Sequence, residues 1–209
     1  MKDLVNVAVF ASGGGSNFQA LIDKKEEGML RVNFAVCVGN NSKAKAFERA
    51  RNHSIPTLHI APGHFADERT YTEKLLSELE SYKVDLIVLA GYMKMIPAAV
   101  TAKYHNRIIN IHPALLPSFG GQGMYGKQVH QAVLDYGAKV TGITVHFVDE
   151  EYDKGPIILQ ETVQVLDDDD VDSLAARVLN VEHANYWRAV KAYARGTITV
   201  KGRRVIGSV

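Results

Sequence analysis

Val5-Asn6-Val7-Ala8-Val9-Phe10-Ala11 runs straight into Ser12-Gly13-Gly14-Gly15-Ser16-Asn17, and Phe18, Leu21 and Ile22 follow at helical spacing up to about Gly28. The apolar, β-branched run is a strand signal, and the stripe after it is a helix signal. The order is therefore strand, glycine turn, helix. Glycines let a backbone approach a ligand closely and adopt positive φ. The free N–H groups of a first helical turn form a site for an anion. A tight turn with ordinary capping is the plain alternative. Two specific versions of the motif are excluded. A Walker loop needs Gly-Lys-Ser/Thr, and no lysine follows here. The dinucleotide fingerprint needs a third glycine where Phe18 stands and an acid near the end of the second strand. That strand, residues 32–38, ends in Gly39-Asn40-Asn41-Ser42. A small monophosphate suits this turn better than NAD or ATP.

Outward from that unit, strand and helix signals keep alternating, which predicts a mostly parallel sheet with helices around it. Ser42 is placed to cap a helix over residues 43–53, and residues 55–60 form a short strand broken by Pro56. Ala61-Pro62-Gly63 reads as a turn. Asp67 is placed to cap a helix to about Tyr82, with Tyr71, Leu75, Leu76 and Leu79 on one stripe. Arg69, in its first turn, is either a phosphate or sugar contact or a solvated surface residue. Residues 84–90 are almost all apolar, as in a buried parallel strand. Gly91-Tyr92-Met93-Lys94-Met95-Ile96-Pro97 follows at the strand exit, where α/β sheets place ligands. This run either lines a slot for a flat heterocycle or sends Met93 and Ile96 into the core. Pro97 opens a short helix to about Tyr104.

Arg107-Ile108-Ile109 reads as a strand leading into Asn110-Ile111-His112-Pro113-Ala114-Leu115-Leu116-Pro117. Side chains two apart on a strand share a face, so Asn110 and His112 point the same way. Pro113 lacks an N–H, so strand pairing ends there. An amide N–H can bind a developing oxyanion, and an imidazole can hold or move a proton near neutral pH. Two polar residues at a turn remain the alternative.

Beyond Pro117, four glycines between Ser118 and Gly126 suggest a lid or a plain connector. Val129, Ala132, Val133 and Tyr136 mark a helix ended by Gly137. Residues 139–148 form a strand with Thr144, His146 and Val148 on one face and Val145 and Phe147 on the other; His146 reads as a buried, hydrogen-bonded histidine. The acidic run 149–153 leads through Lys154-Gly155-Pro156 into a strand at 157–165. A carboxylate from this run can raise the pKa of His112 and orient its ring, and turn chemistry favours Asp153. The aspartates at 167–170 cap a helix over 171–194, with Leu174, Val178 and Val181 inward. Glu182 lies near the buried edge of that stripe, to pair with a ligand or with a structural arginine such as Arg177. Residues 197–200 and 203–206 form a small hairpin.

The 209 residues are 46% hydrophobic and 22% charged, with a formal net charge of +1 and charges interspersed. Nothing in this balance suggests an electrostatic nucleic-acid or membrane partner, and none is expected. No apolar run has the length of a membrane span. The single cysteine, Cys37, and an N-terminus without a signal-peptide pattern point to the cytoplasm. The histidines lack metal-ligand spacing, so no metal is expected.

Taken together, Gly13 to Asn17, Asn110 to Pro117, and His146-Phe147-Val148 through Asp153 to Gln160 resemble the phosphoribosylglycinamide formyltransferase family, in order over nearly the whole chain. The resemblance implies direct transfer of formyl from 10-formyltetrahydrofolate to the amine of glycinamide ribonucleotide, these two small molecules being the partners. It assigns catalysis to Asn110, to a protonated His112 and to Asp153. It assigns the substrate phosphate to Gly15, Ser16 and Asn17, and the substrate's ribose or amine region to Glu182. The folate contacts it implies are Tyr92, Met93, Lys94, Met95, Ile96, Asn110, Val148 and Glu150, with Arg69 nearest a ligand-contacting arginine and Glu68 beside it. The expected fold is a single α/β domain over 1–209: a doubly wound, mostly parallel sheet of Rossmann-like formyltransferase type with an antiparallel C-terminal part. Residues 1–104 form the phosphate-binding half, and 105–209 the catalytic and folate-binding half. The rivals are a formyltetrahydrofolate hydrolase, a formyltransferase for sugar amines or initiator methionyl-tRNA, and a non-catalytic nucleotide-binding module.

Overall fold

The opening strand, β1 (Asn6–Phe10), is fully buried from Val7 to Phe10, and α1 (Ser16–Glu26) starts directly after the glycine turn. The computed structural model describes residues 4–209; Met1, Lys2 and Asp3, where the sequence showed no signal-peptide pattern, lie outside the described residues. The chain forms two compact units, the first ending at Ile109 and the second covering Asn110–Val209.

The first unit carries β1, β2 (Asn33–Gly39), β3 (Thr57–His59) and β4 (Leu86–Leu89) in the order β3-β2-β1-β4. The pairs β1–β2, β1–β4 and β2–β3 are parallel. Chain order moves outward from β1 to β3 and then returns to the other side of β1 with β4. The reversal makes the C-terminal ends of β1 and β4 the topological switch point, the usual ligand position in an open α/β sheet. The helices here are α1, α2 (Lys45–Asn52), α3 (Glu68–Ser81) and α4 (Ala98–Lys103), and a 3-10 turn covers Pro62–His64. Asp67 caps α3 through a capping box with Thr70, as its sequence position predicts. Ser42 does not cap α2. That helix starts at Lys45 after Ala44. Asn41 forms a local turn instead, its side chain accepting from the Lys43 N–H at 3.0 Å.

The second unit has the order β5-β6-β7-β9-β8, with β5 (Ile108–His112) spanning the division. β6 (Val140–Phe147) and β7 (Ile157–Gln164) pair antiparallel. β8 (Ile198–Lys201) and β9 (Arg204–Gly207) form the expected hairpin, and β9 pairs parallel with β7. β5 runs through to His112 and stops at Pro113. In α5 (Lys127–Tyr136) the inner face is Val129, His130 and Val133, whereas Tyr136 is 81% exposed. Tyr136 sits in the last turn, its ring edge-on to Phe119 at 5.8 Å rather than in the core. α6 (Val171–Arg195) opens on an Asp170–Ser173 capping box and ends at Gly196 in the left-handed region. Its buried line is Leu174, Val178, Glu182, Tyr186 and Ala189, while Val181 is only half-buried. Glu182 therefore lies on the stripe itself, not at its edge. Arg177 is not its partner: the guanidinium takes Asp169 in two bonds of 2.6 and 2.8 Å.

Candidate active site

At the end of β5, Asn110 is half-buried and His112 is 3% exposed. His112 Nδ1 lies 3.5 Å from Asp153 Oδ2, and Nε2 donates to the Phe119 carbonyl at 2.8 Å. Asn110 Nδ2 is 3.2 Å from His146 Nε2. His146 is buried on β6, donates from Nδ1 to the Phe147 carbonyl at 2.8 Å, and stands 3.6 Å from Asp153 Oδ1. Asp153 Oδ2 also accepts the Gly121 N–H at 3.0 Å. Asn110, His112 and Asp153 are thus brought together, and His146 joins the amide to the carboxylate. Asp153 has φ +56, a left-handed conformation that aspartate tolerates better than most residues.

Burial withdraws the His112 ring from water and pushes its pKa below the ordinary 6.5. The Asp153 charge and the Phe119 carbonyl pull it upward, but burial prevails. The carboxylate acts in the expected direction and is outweighed by burial. For Asp153 the balance runs the other way. Burial alone raises its pKa, yet the adjacent His146 and His112 rings and the Gly121 N–H together hold it below the usual carboxylate value.

The segment after His112 is clamped from β6 and β7. Thr144 Oγ1 donates to the Ala114 carbonyl at 2.7 Å and accepts the Leu116 N–H at 3.0 Å. Gln160 Nε2 donates to the Leu116 carbonyl at 3.0 Å. Thr144, His146 and Gln160 were absent from the candidate residues. The shared face of Thr144 and His146 on one strand was the available signal. Gly155 leaves no room for a side chain, since a Cβ there would lie 1.8 Å from the Phe147 carbonyl oxygen. Val148 is half-buried and Glu150 exposed, just beyond β6.

In the first unit, Gly15 has φ +68 and caps α1 without a side-chain bond, and Ser16 and Asn17 form the first turn. The Ser12 hydroxyl, at the end of β1, donates to Asn40 Oδ1 at 2.7 Å and accepts the Met93 N–H at 2.8 Å. Tyr92 packs edge-on to Phe10 and meets the Tyr71 hydroxyl at 3.3 Å. Ile96 enters the core, but Met93 and Met95 are 53% and 52% exposed beside exposed Lys94. The two readings of this run therefore divide residue by residue. Arg69 is largely solvated, with Glu73 at 3.8 Å. Among the described residues no His, Cys, Asp and Glu group is arranged to hold a metal ion, and no helix is long and apolar enough to cross a membrane.

Residues 5–190 match the formyl transferase family. Phosphoribosylglycinamide formyltransferase of Bacillus subtilis (strain 168) is 38% identical over 184 residues, covering 88% of this chain and 92% of that protein. The chain belongs to the phosphoribosylglycinamide formyltransferase family. The chloroplastic family member of Vigna unguiculata is 43% identical over 89% of this chain, which spans 60% of that relative's length. The crystal structure of glycinamide ribonucleotide transformylase 1 from Symbiobacterium toebii superposes with a TM-score of 0.93 at 37% identity, covering 100% of this chain and 96% of that one. The mixed sheet, mostly parallel with antiparallel C-terminal strands, is therefore the formyltransferase fold. Formyl transfer needs an N–H donor for a tetrahedral oxyanion and a group that moves an amine proton. An amide, an imidazole and a carboxylate stand close together at the end of β5, with His146 between the amide and the carboxylate.

Proposed function

We propose that this chain transfers a formyl group from 10-formyltetrahydrofolate to the amine of glycinamide ribonucleotide. The observation that carries the reading is the close cluster of Asn110, His146, Asp153 and His112 in a chain of this family. The substrate amine attacks the formyl carbon, forming a C–N bond and a tetrahedral oxyanion. An Asn110 N–H stabilises that oxyanion. His112 keeps one proton on Nε2 toward the Phe119 carbonyl, so the amine proton reaches its Nδ1 by way of the Asp153 carboxylate, which then stabilises the imidazolium formed. The bond from the formyl carbon to the folate N10 then breaks, and the proton passes to that nitrogen. No covalent enzyme intermediate is required.

The same reading gives the substrate phosphate to Gly15, Ser16 and Asn17, and the ribose or amine region to Glu182. Folate contacts fall to Tyr92, Met93, Lys94, Met95 and Ile96, with Val148, Glu150, Asn110 and Arg69. The lone, buried Cys37 supports a cytoplasmic setting. An absorbance assay of purified protein with 10-formyltetrahydrofolate, with and without glycinamide ribonucleotide, tests the proposal. Folate product forms only when the amine is present. Equal deformylation in both cases makes the protein a hydrolase, and no turnover in either removes the enzymatic reading.

A further inference from the structure

The carbonyls of the glycine turn are tied to α2. Gly13 O accepts the Ala46 N–H at 3.1 Å, and Gly14 O accepts Nε of Arg49 at 2.9 Å. The half-buried Arg49 guanidinium also donates from Nη1 to Gln19 Oε1, on α1, at 3.1 Å. Gln19 is held in turn by Asp23 at 2.8 Å and meets His53 at 3.3 Å, whose other ring nitrogen faces Glu26 at 2.8 Å. The guanidinium is thus clamped between the turn and the first helix.

An anion cradle works only when its N–H groups face the ligand and its carbonyls face away. Glycines impose little preference of their own on peptide orientation. Packing does not supply one here either, since a Cβ added at Gly13 or Gly14 would meet nothing within 4 Å. In a trans peptide the C=O and the following N–H point in opposite directions. Drawing Gly13 O and Gly14 O toward α2 therefore turns the N–H groups of Gly14 and Gly15 to the opposite side. Ala46 performs this with its backbone, so a side-chain substitution there leaves the bond in place. Arg49 performs it with its side chain and brings a positive charge behind the turn.

We propose that Arg49 is a positioning residue for the phosphate end of the substrate: it orients the Gly14–Gly15 peptide, and the phosphate is read by the N–H groups so presented. This rests on the proposed phosphate role of the turn. The test compares wild type with Arg49→Met and Arg49→Lys. It measures kcat, KM for each substrate, competition by inorganic phosphate, and activity with the dephosphorylated amine. Arg49→Met raises KM for glycinamide ribonucleotide about tenfold or more and weakens phosphate competition equally, while kcat and the folate KM stay within about twofold. Arg49→Lys recovers part of the loss, because one ammonium can reach Gly14 O without also forking to Gln19. If wild type prefers the phosphorylated amine and Arg49→Met keeps that preference, the Arg49 role is overturned alone. If wild type has no such preference, the phosphate reading of the turn falls and Arg49 with it. Should Arg49→Met fail to fold, Gln19→Leu removes the Nη1 acceptor, together with the amide's bonds to Asp23 and His53, and raises the same KM about threefold; an unchanged KM overturns the proposal.

Discussion

Nε2 of His146 lies 3.2 Å from Nδ2 of Asn110. The other ring nitrogen donates to the Phe147 carbonyl, and Nε2 is placed to take one N–H of the amide. The Asn110 nitrogen is thereby fixed on one side, with its second N–H left for an oxyanion. One such donor is worth roughly 3–4 kcal/mol in a transition state. Asn110→Ala is accordingly expected to lower kcat by about two to three orders of magnitude. His146→Leu lowers it about a hundredfold by releasing the amide. The double variant is no worse than Asn110→Ala, because both changes remove the same interaction. Independent, additive losses in kcat would refute this account.

Two buried rings set the acid limb of stability. Burial lowers the pKa of both His112 and His130 from 6.5, and His130 is lowered further by His112. The unfolded chain then binds more protons than the folded one below about pH 6.5, so stability is full above that pH and is lost as pH falls toward the folded values. The thermal midpoint is expected to drop between pH 7 and 5.5. His130→Phe should flatten part of that drop. Melting curves across this range decide it, and an identical pH slope in the variant contradicts the assignment.

Gly15 and Gly13 stand two residues apart and tolerate change differently. Gly15 has φ +68, and a Cβ there would lie 2.8 Å from the Ala46 Cβ. Gly15→Ala should cost about 2–3 kcal/mol and lower the melting temperature by roughly 4–10 °C. Gly13→Ala meets nothing within 4 Å and should melt within about 1–2 °C of wild type. Similar melting shifts for both variants would remove the steric argument.

The Ser12 hydroxyl joins Asn40 to the backbone of Met93, in the run proposed to hold folate. Ser12→Ala frees the Met93 amide and should raise the folate KM about five- to tenfold, with kcat within about twofold. Initial-rate measurements at varied folate check it. A change confined to kcat would place Ser12 elsewhere in the mechanism.

Much of this molecule was readable along the chain. The glycine turn between β1 and α1, the caps at Asp67 and Asp170, the stop at Gly196 and the end of β5 before Pro113 all depend on residues within a few positions of each other. Backbone sterics and helix periodicity act over that range, so local sequence specifies them. The shared face of Asn110 and His112, and that of Thr144 and His146, follow from strand pleat in the same way.

What lies beyond that range was decided by folding. Asn110 meets His146 across 36 residues, and Arg49 meets Gly14 across 35. No periodicity in a single chain names such partners. The same holds for the His112 ring, where a nearby carboxylate was legible but the larger effect of burial was not. Tyr136 follows the spacing of an inner stripe and is nonetheless exposed, because α5 ends there and the ring lies edge-on to Phe119 outside the core. Local sequence chooses the elements and the faces their side chains share; only the packed structure determines which of those side chains meet and how much water remains around them.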